Sequence, residues 1–381
     1  MKVLVIGHTY IAPINREKWK RFAYKYPDVF LKVLIPSFWP ATLFNLNAGD
    51  LYKDNLDNCE FVSCKTFNCG NEVLYGYNFF CLAQLLKNFK PDLIHVEQGD
   101  NAFSYFQTIL FSKIFCRRAK FIFFTWVNWK QKHSLKYKLI WKFIEKFNLK
   151  NSNAAIVGNL EAGNILKEKK FKRPIKVLLQ LGVNQNYFFP AYKTNKNFDK
   201  KYIGFIGRIV REKGIFLLVD AFSKLADKYE NWNLIFIGEG KDKKELVDYA
   251  FKKNLKKRIE FKNSVQHKKV ASILQQIDGL ILPSYDTESW KEQFGHILIE
   301  AMACKVPVIG SSAGDIPNVI GDSGLIFEQN NCDDLSEKLD CFFSSAHLRE
   351  KMGKMGHERF LEKYSYEIIA KGTYDFWNSC L

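Results

Sequence analysis

The chain has 381 residues, 47% apolar and 25% charged, enough for two hydrophobic cores and too long for one ordinary domain. Its apolar stretches, such as residues 103–115 with Lys113 inside them, fall short of the roughly 18 residues of a membrane span, and Met1 leads into a strand-like run without a secretory pattern, so a cytoplasmic location is expected. The formal charge of +17 resides wholly in residues 1–200, with 31 Lys+Arg against 14 Asp+Glu, which suits an anionic membrane face, a phosphorylated substrate or nucleic acid, or else a merely solvated basic surface.

Short β-rich runs alternate with helical patterns. In the first half they predict strands over 3–7, 30–36, 92–97, 121–125, 154–158 and 176–181. Residues 126–150 are rich in lysine, with Leu135, Ile140, Phe143 and Phe147 near helical spacing. This basic stretch reads as a membrane-surface helix or as a core-facing helix with a lysine outer face. No RNA-module signature accompanies it, so no nucleic-acid partner is expected.

A polar, lysine-rich stretch at 193–201 serves as the linker between a first domain, 1–192, and a second, 202–364. The second domain predicts strands over 202–207, 234–238, 258–261, 279–283, 306–310 and 324–327. Residues 365–381 are expected to form a helix returning to the first domain. Strands alternating with helices imply two doubly wound, Rossmann-like α/β domains facing a cleft, with ligands at the carboxyl ends of the strands.

Several motifs are absent. Neither G-x-G-x-x-G after the first strand nor G-x-x-x-x-G-K-[ST] occurs, which argues against a nicotinamide dehydrogenase and a P-loop nucleotidase. The nine cysteines lack paired zinc spacing and read as reduced thiols, and the seven histidines form no ligand pattern, so neither metal nor cofactor is expected.

The chemistry concentrates in the second half. Arg208 and Lys213 lie between a strand and a helix, where cations and free backbone amides suit a diphosphate. Farther along, Glu292 and Glu300 are separated by seven residues, with Phe294 and Gly295 between them. Glu300 sits within an apolar run and needs a hydroxyl or cation as partner.

Gly207-Arg208 with Glu212-Lys213-Gly214, the Glu292/Glu300 pair with Phe294-Gly295, and Gly314 to Pro317 before Gly324 resemble the family 4 retaining glycosyltransferases of GT-B fold. Weaker echoes occur at 91–96 and 182–190, so the resemblance covers nearly the whole chain. It implies transfer of a sugar from a nucleotide-diphosphate sugar to a glycan or lipid-linked acceptor in surface-polysaccharide or glycoconjugate assembly, without metal. By the resemblance, Arg208 and Lys213 hold the diphosphate, Glu300 the ribose, and Glu292 the donor sugar, assisted by the backbone of Phe294, Gly295 and His296.

Two family features are altered: the Gly-Gly loop after the first strand, where His8 stands, and the histidine after the fifth, where Asn128 stands. His8, Glu97 and Asn128 are the candidates on the acceptor side, with structural roles left open. A GT-B epimerase or phosphorylase, or a non-catalytic glycan- or nucleic-acid-binding protein, is the alternative reading. The enzyme is expected at the inner face of the cytoplasmic membrane, held by anionic lipid.

Overall fold

The computed structural model describes residues 1–40, 46–49, 51–129, 135–191 and 200–381, without the side chains of 135–139. Most of the expected linker lies outside these residues, as do residues 130–134 of the basic stretch. The chain divides into two compact units, Met1–Gly182 with Tyr366–Leu381, and Val183–Ser365. Residues 183–191, which the sequence reading gives to the first domain, thus belong to the second unit.

Unit 1 holds a seven-stranded, all-parallel sheet: β1 (Lys2–Ile6), β2 (Phe30–Pro36), β3 (Cys59–Cys64), β4 (Leu93–Val96), β5 (Lys120–Thr125), β6 (Ala154–Val157) and β7 (Ile175–Val177). Their order across the sheet is β7-β6-β5-β4-β1-β2-β3. The central strands are almost continuous Val, Ile, Leu and Phe, as burial on both faces requires, and β1, β4, β5 and β6 are nearly inaccessible. The sequence reading misses β3 because this strand alternates buried Cys59, Phe61 and Cys64 with exposed Glu60 and Ser63 at the sheet edge. Cys64 and Cys81 are paired as a disulfide, so the reading of nine reduced thiols holds for the other seven.

Unit 2 repeats the scheme with β8 (Lys201–Ile206), β9 (Trp232–Ile237), β10 (Ile259–Lys262), β11 (Gly279–Leu282), β12 (Val308–Ser311) and β13 (Leu325–Phe327), ordered β10-β9-β8-β11-β12-β13. Both sheets reverse direction of winding beside their first strand. That topological switch leaves a crevice at the strand carboxyl ends, where βα loops collect ligand-binding residues.

The C-terminal helix, Tyr366–Cys380, packs on the helix Pro13–Lys25 of unit 1. Trp377 stacks on Trp19 at 5.6 Å and Tyr374 on Tyr26 at 4.0 Å, burying large aromatic surfaces in an offset geometry. Within Leu135–Asn151 the inward residues are Ile144 and Asn148, whereas Ile140 and Phe143 face solvent. The apolar face expected from Ile140 and Phe143 is therefore an outer face.

Candidate active site

In unit 2 the functional side chains come from loops after β8 and β11, neighbouring strands at the switch point. Lys213 ends a short turn after β8, followed by Gly214 at φ +68°. A Cβ on Gly214 would stand 1.8 Å from the carbonyl oxygen of Pro283, so only glycine lets the two loops touch. The backbone joins them too, Tyr285 N–H donating to the carbonyl of Glu212 at 3.0 Å.

This contact brings the Lys213 ammonium onto the Glu292 carboxylate, which also accepts from the Ser284 hydroxyl at 3.0 Å. Both partners are largely buried, and the ammonium lies 4.8 Å from the centre of the Trp290 ring. Gly314, at φ +49°, packs beneath: a Cβ there would meet the Glu292 carbonyl oxygen at 2.0 Å. Asp315 N–H donates to the same oxygen at 3.1 Å. Glu292 is thereby held from both its side chain and its backbone.

Glu300 lies on the helix His296–Ala303, whose N-cap is Gly295. Its carboxylate contacts His267 Nε2 at 2.7 Å. The hydrogen bond to Glu300 raises the imidazole pKa, outweighing burial. His296 shifts the other way because burial disfavours its charged form. Phe294 turns inward against Tyr364 and His296. Arg208 is exposed, with its guanidinium unpaired among the described residues.

The raised pKa makes a prediction. The charged contact between His267 and Glu300 contributes stability that is fully present below the ordinary imidazole pKa and is lost as pH rises through the raised one. An NMR titration of His267 should place its midpoint above the ordinary imidazole range, and Glu300→Gln should bring it down. No change on substitution would show that Glu300 does not set the protonation of His267.

In unit 1, His8, Glu97 and Asn128 follow β1, β4 and β5, three adjacent strands. Each has its own surroundings. His8 stacks on Trp39 at 4.5 Å, with Nδ1 2.7 Å from Gln98 and Nε2 3.4 Å from exposed Glu72, whose pKa is lowered by the hydrogen bond with His8. Asn128 is fully buried. Glu97 is enclosed: Lys18 Nζ lies 2.6 Å away, Gln180 donates at 3.0 Å and the Tyr10 hydroxyl also donates. Burial raises the Glu97 pKa, but Lys18 and His95 together with the hydrogen bonds outweigh it, and the net shift is downward. The Glu97 carboxylate is wholly covered by these partners.

Trp290 and His267 escape the sequence reading, as do Lys18, Tyr10 and Gln180. Ser284 carries a local signal, as the small polar residue just past a strand. The others are ordinary residues whose contacts come from distant partners.

Residues 189–359 match the family model described as "Glycosyl transferases group 1". Over that segment the chain carries the group 1 glycosyltransferase pattern. The matched segment contains Arg208, Lys213, Glu292 and Glu300. The chain is 29% identical to CapM of Staphylococcus aureus, a capsular polysaccharide biosynthesis glycosyltransferase, over 65% of this chain and 60% of that protein. It is 30% identical to N,N'-diacetylbacillosaminyl-diphospho-undecaprenol alpha-1,3-N-acetylgalactosaminyltransferase of Campylobacter jejuni, over 62% of this chain and 60% of that protein. The chain thus spans about three-fifths of the length of the curated relatives it matches. HepE of Anabaena, solved in complex with UDP, superposes with a TM-score of 0.74 at 14% identity, covering all of both chains, a likeness of fold. Two Rossmann-like domains of GT-B class are the fold of this chain.

Proposed function

We propose that this chain transfers a sugar, with retention of anomeric configuration, from a nucleotide-diphosphate sugar to a glycan or lipid-linked acceptor in surface-glycan assembly. The observation that carries the reading is the Lys213–Glu292 pair at the ends of β8 and β11, inside the segment that matches the family. When the bond from the anomeric carbon to the diphosphate breaks, negative charge gathers on the departing oxygen. Fixed cations in a largely buried site stabilise that charge most as it develops. Lys213 is held ready by Glu292, and exposed Arg208 adds a second cation. The acceptor hydroxyl attacks from the face the diphosphate leaves, and its proton passes to the departing phosphate oxygen.

Glu300 is assigned to the ribose and Glu292 to the donor sugar, with the backbone at Phe294, Gly295 and His296 beside sugar and phosphate. His8, Glu97 and Asn128 are kept as the acceptor-side assignments. A lipid-linked acceptor is supported by the Campylobacter jejuni relative, whose name specifies a diphospho-undecaprenol substrate. With such an acceptor the enzyme would work peripherally at the cytoplasmic membrane face; no described helix is long and apolar enough to cross a membrane.

A panel of nucleotide-activated sugars, assayed for thermal shift and transfer with and without EDTA, tests this function. One donor should stabilise the protein and turn over equally with chelator, because protein cations neutralise the diphosphate. Stabilisation by none of them, or activity that requires an added divalent ion, would overturn it. Glu300→Gln should raise the donor KM, whereas Glu292→Gln should lower kcat, since a group on the reacting sugar acts mainly in the transition state. Identical kinetic profiles would refute that division of roles.

A further inference from the structure

The helix Phe103–Phe115 is inverted relative to an ordinary surface helix. Its inward side buries Ser104, Gln107, Thr108 and Ser112 beside Tyr105 and Ile109. Two of these side chains have local partners: Thr108 donates to the Ser104 carbonyl at 2.7 Å, and Gln107 bonds both N–H and C=O of Tyr77 at 2.9 and 2.6 Å. Its outer side instead presents Phe103, Phe106, Leu110 and Ile114, spaced by three and four residues on one stripe. Ile114 is 66% exposed.

The stripe continues onto neighbouring elements through ring contacts. Phe67 lies 5.8 Å from Phe103 and 5.9 Å from Phe79, Phe79 stacks on Phe111 at 5.9 Å, and Phe106 meets Phe143 at 6.2 Å. Phe80 is 86% exposed and Phe143 62%. A continuous exposed apolar face of this kind marks a surface that something covers.

Charge identifies the cover. Lys87, Lys113, Arg117, Arg118, Lys142 and Lys146 are exposed on or beside the three helices Phe79–Phe89, Phe103–Phe115 and Leu135–Asn151. Among the described side chains of these helices the sole acid is Glu145, already ion-paired with Lys169. Aromatic and aliphatic side chains ringed by unopposed cations fit the boundary between anionic headgroups and acyl chains.

We infer that this aromatic face of unit 1 is the surface by which the protein docks on an anionic phospholipid bilayer, with Phe80 and Ile114 entering the interface. It rests on none of the donor-site assignments. It moves the membrane contact from the lysine row expected at 130–150 to a broader face of three helices.

Sedimentation of the full chain with vesicles, with no sugar donor present, tests it. The protein should bind vesicles of phosphatidylethanolamine with phosphatidylglycerol, bind phosphatidylcholine vesicles much less, and release as salt rises. Because Phe80 and Ile114 are exposed, Phe80→Ser/Ile114→Ser should keep the fold while the partition constant drops about ten-fold or more. Phe251→Ser, an exposed control in unit 2, should change nothing. Equal binding by the double variant would overturn the proposal. So would a lipid-free dimer that the double variant dissociates, or a stronger affinity for single-stranded RNA than for anionic vesicles. Donor turnover on a soluble acceptor, measured separately, should survive the double variant; its failure would bear on the catalytic reading alone.

Discussion

Lys213→Ala is expected to lower kcat/KM for the donor by about 100-fold or more, the range for removing one preorganised group that stabilises developing charge. The ammonium is largely buried, so water cannot readily replace it, and its loss leaves Glu292 as a carboxylate without its cation. Arg208→Ala should cost less, about ten-fold, because an exposed cation acts through a higher effective dielectric. The folded state should survive both changes, as judged by thermal unfolding without donor. Since Lys213 and Glu292 touch, the Lys213→Ala/Glu292→Gln double variant should deviate from additivity by about 0.5–3 kcal/mol in a kinetic double-mutant cycle. Wild-type turnover of Lys213→Ala at limiting donor would sink the diphosphate assignment.

The second large effect falls on stability. Glu97→Gln strands the Lys18 ammonium in an interior where it has lost its counter-charge, a loss of about 3–5 kcal/mol. The cost exceeds that of one ion pair because Glu97 gathers several strand ends. Gln180, which donates to Glu97, also accepts from the Trp126 indole at 2.9 Å, and Tyr10 comes from the segment after β1. Lys18→Met/Glu97→Gln, which removes both charges, should recover much of the loss. Urea unfolding of the full chain, followed by tryptophan fluorescence, provides the readout, since Lys18 Nζ lies 4.2 Å from the Trp19 ring centre. Acid gives an independent check. The depressed Glu97 pKa means that stability present above the unfolded carboxylate pKa is lost as pH falls through the folded one. That acid-dependent loss should shrink in the double variant. A Glu97→Gln protein as stable as the parent would show that Lys18 sheds its charge at no cost.

The donor-side candidates were legible because a parallel sheet concentrates function in short loops at strand ends. Gly214 and Gly314 are where loop backbones touch, and the interval from Glu292 to Glu300 spans one loop and the start of one helix. Such constraints leave a local, ordered trace in the sequence. His267 left none, since a histidine starting a helix takes its meaning from Glu300, 33 positions later. Nor does the sequence show that Glu97, a carboxylate at a strand end, is covered by Lys18, 79 positions away.

The sequence by itself determined the two α/β domains, through β-branched runs alternating with helical periods, and the family, through spaced residues in order. Tertiary structure decided which side of each element is inside. The helix Phe103–Phe115 buries Gln107 and Thr108 and exposes Leu110 and Ile114, because Tyr77 and the helix's own backbone satisfy those two polar groups inside. The helix Tyr366–Cys380, expected from the sequence to return to the first domain, is held in unit 1 by contacts that only the structure shows, Trp377 on Trp19 and Tyr374 on Tyr26. Hydrophobic burial rewards area removed from water by whatever neighbour is present, and the neighbour is fixed only when the chain has closed on itself.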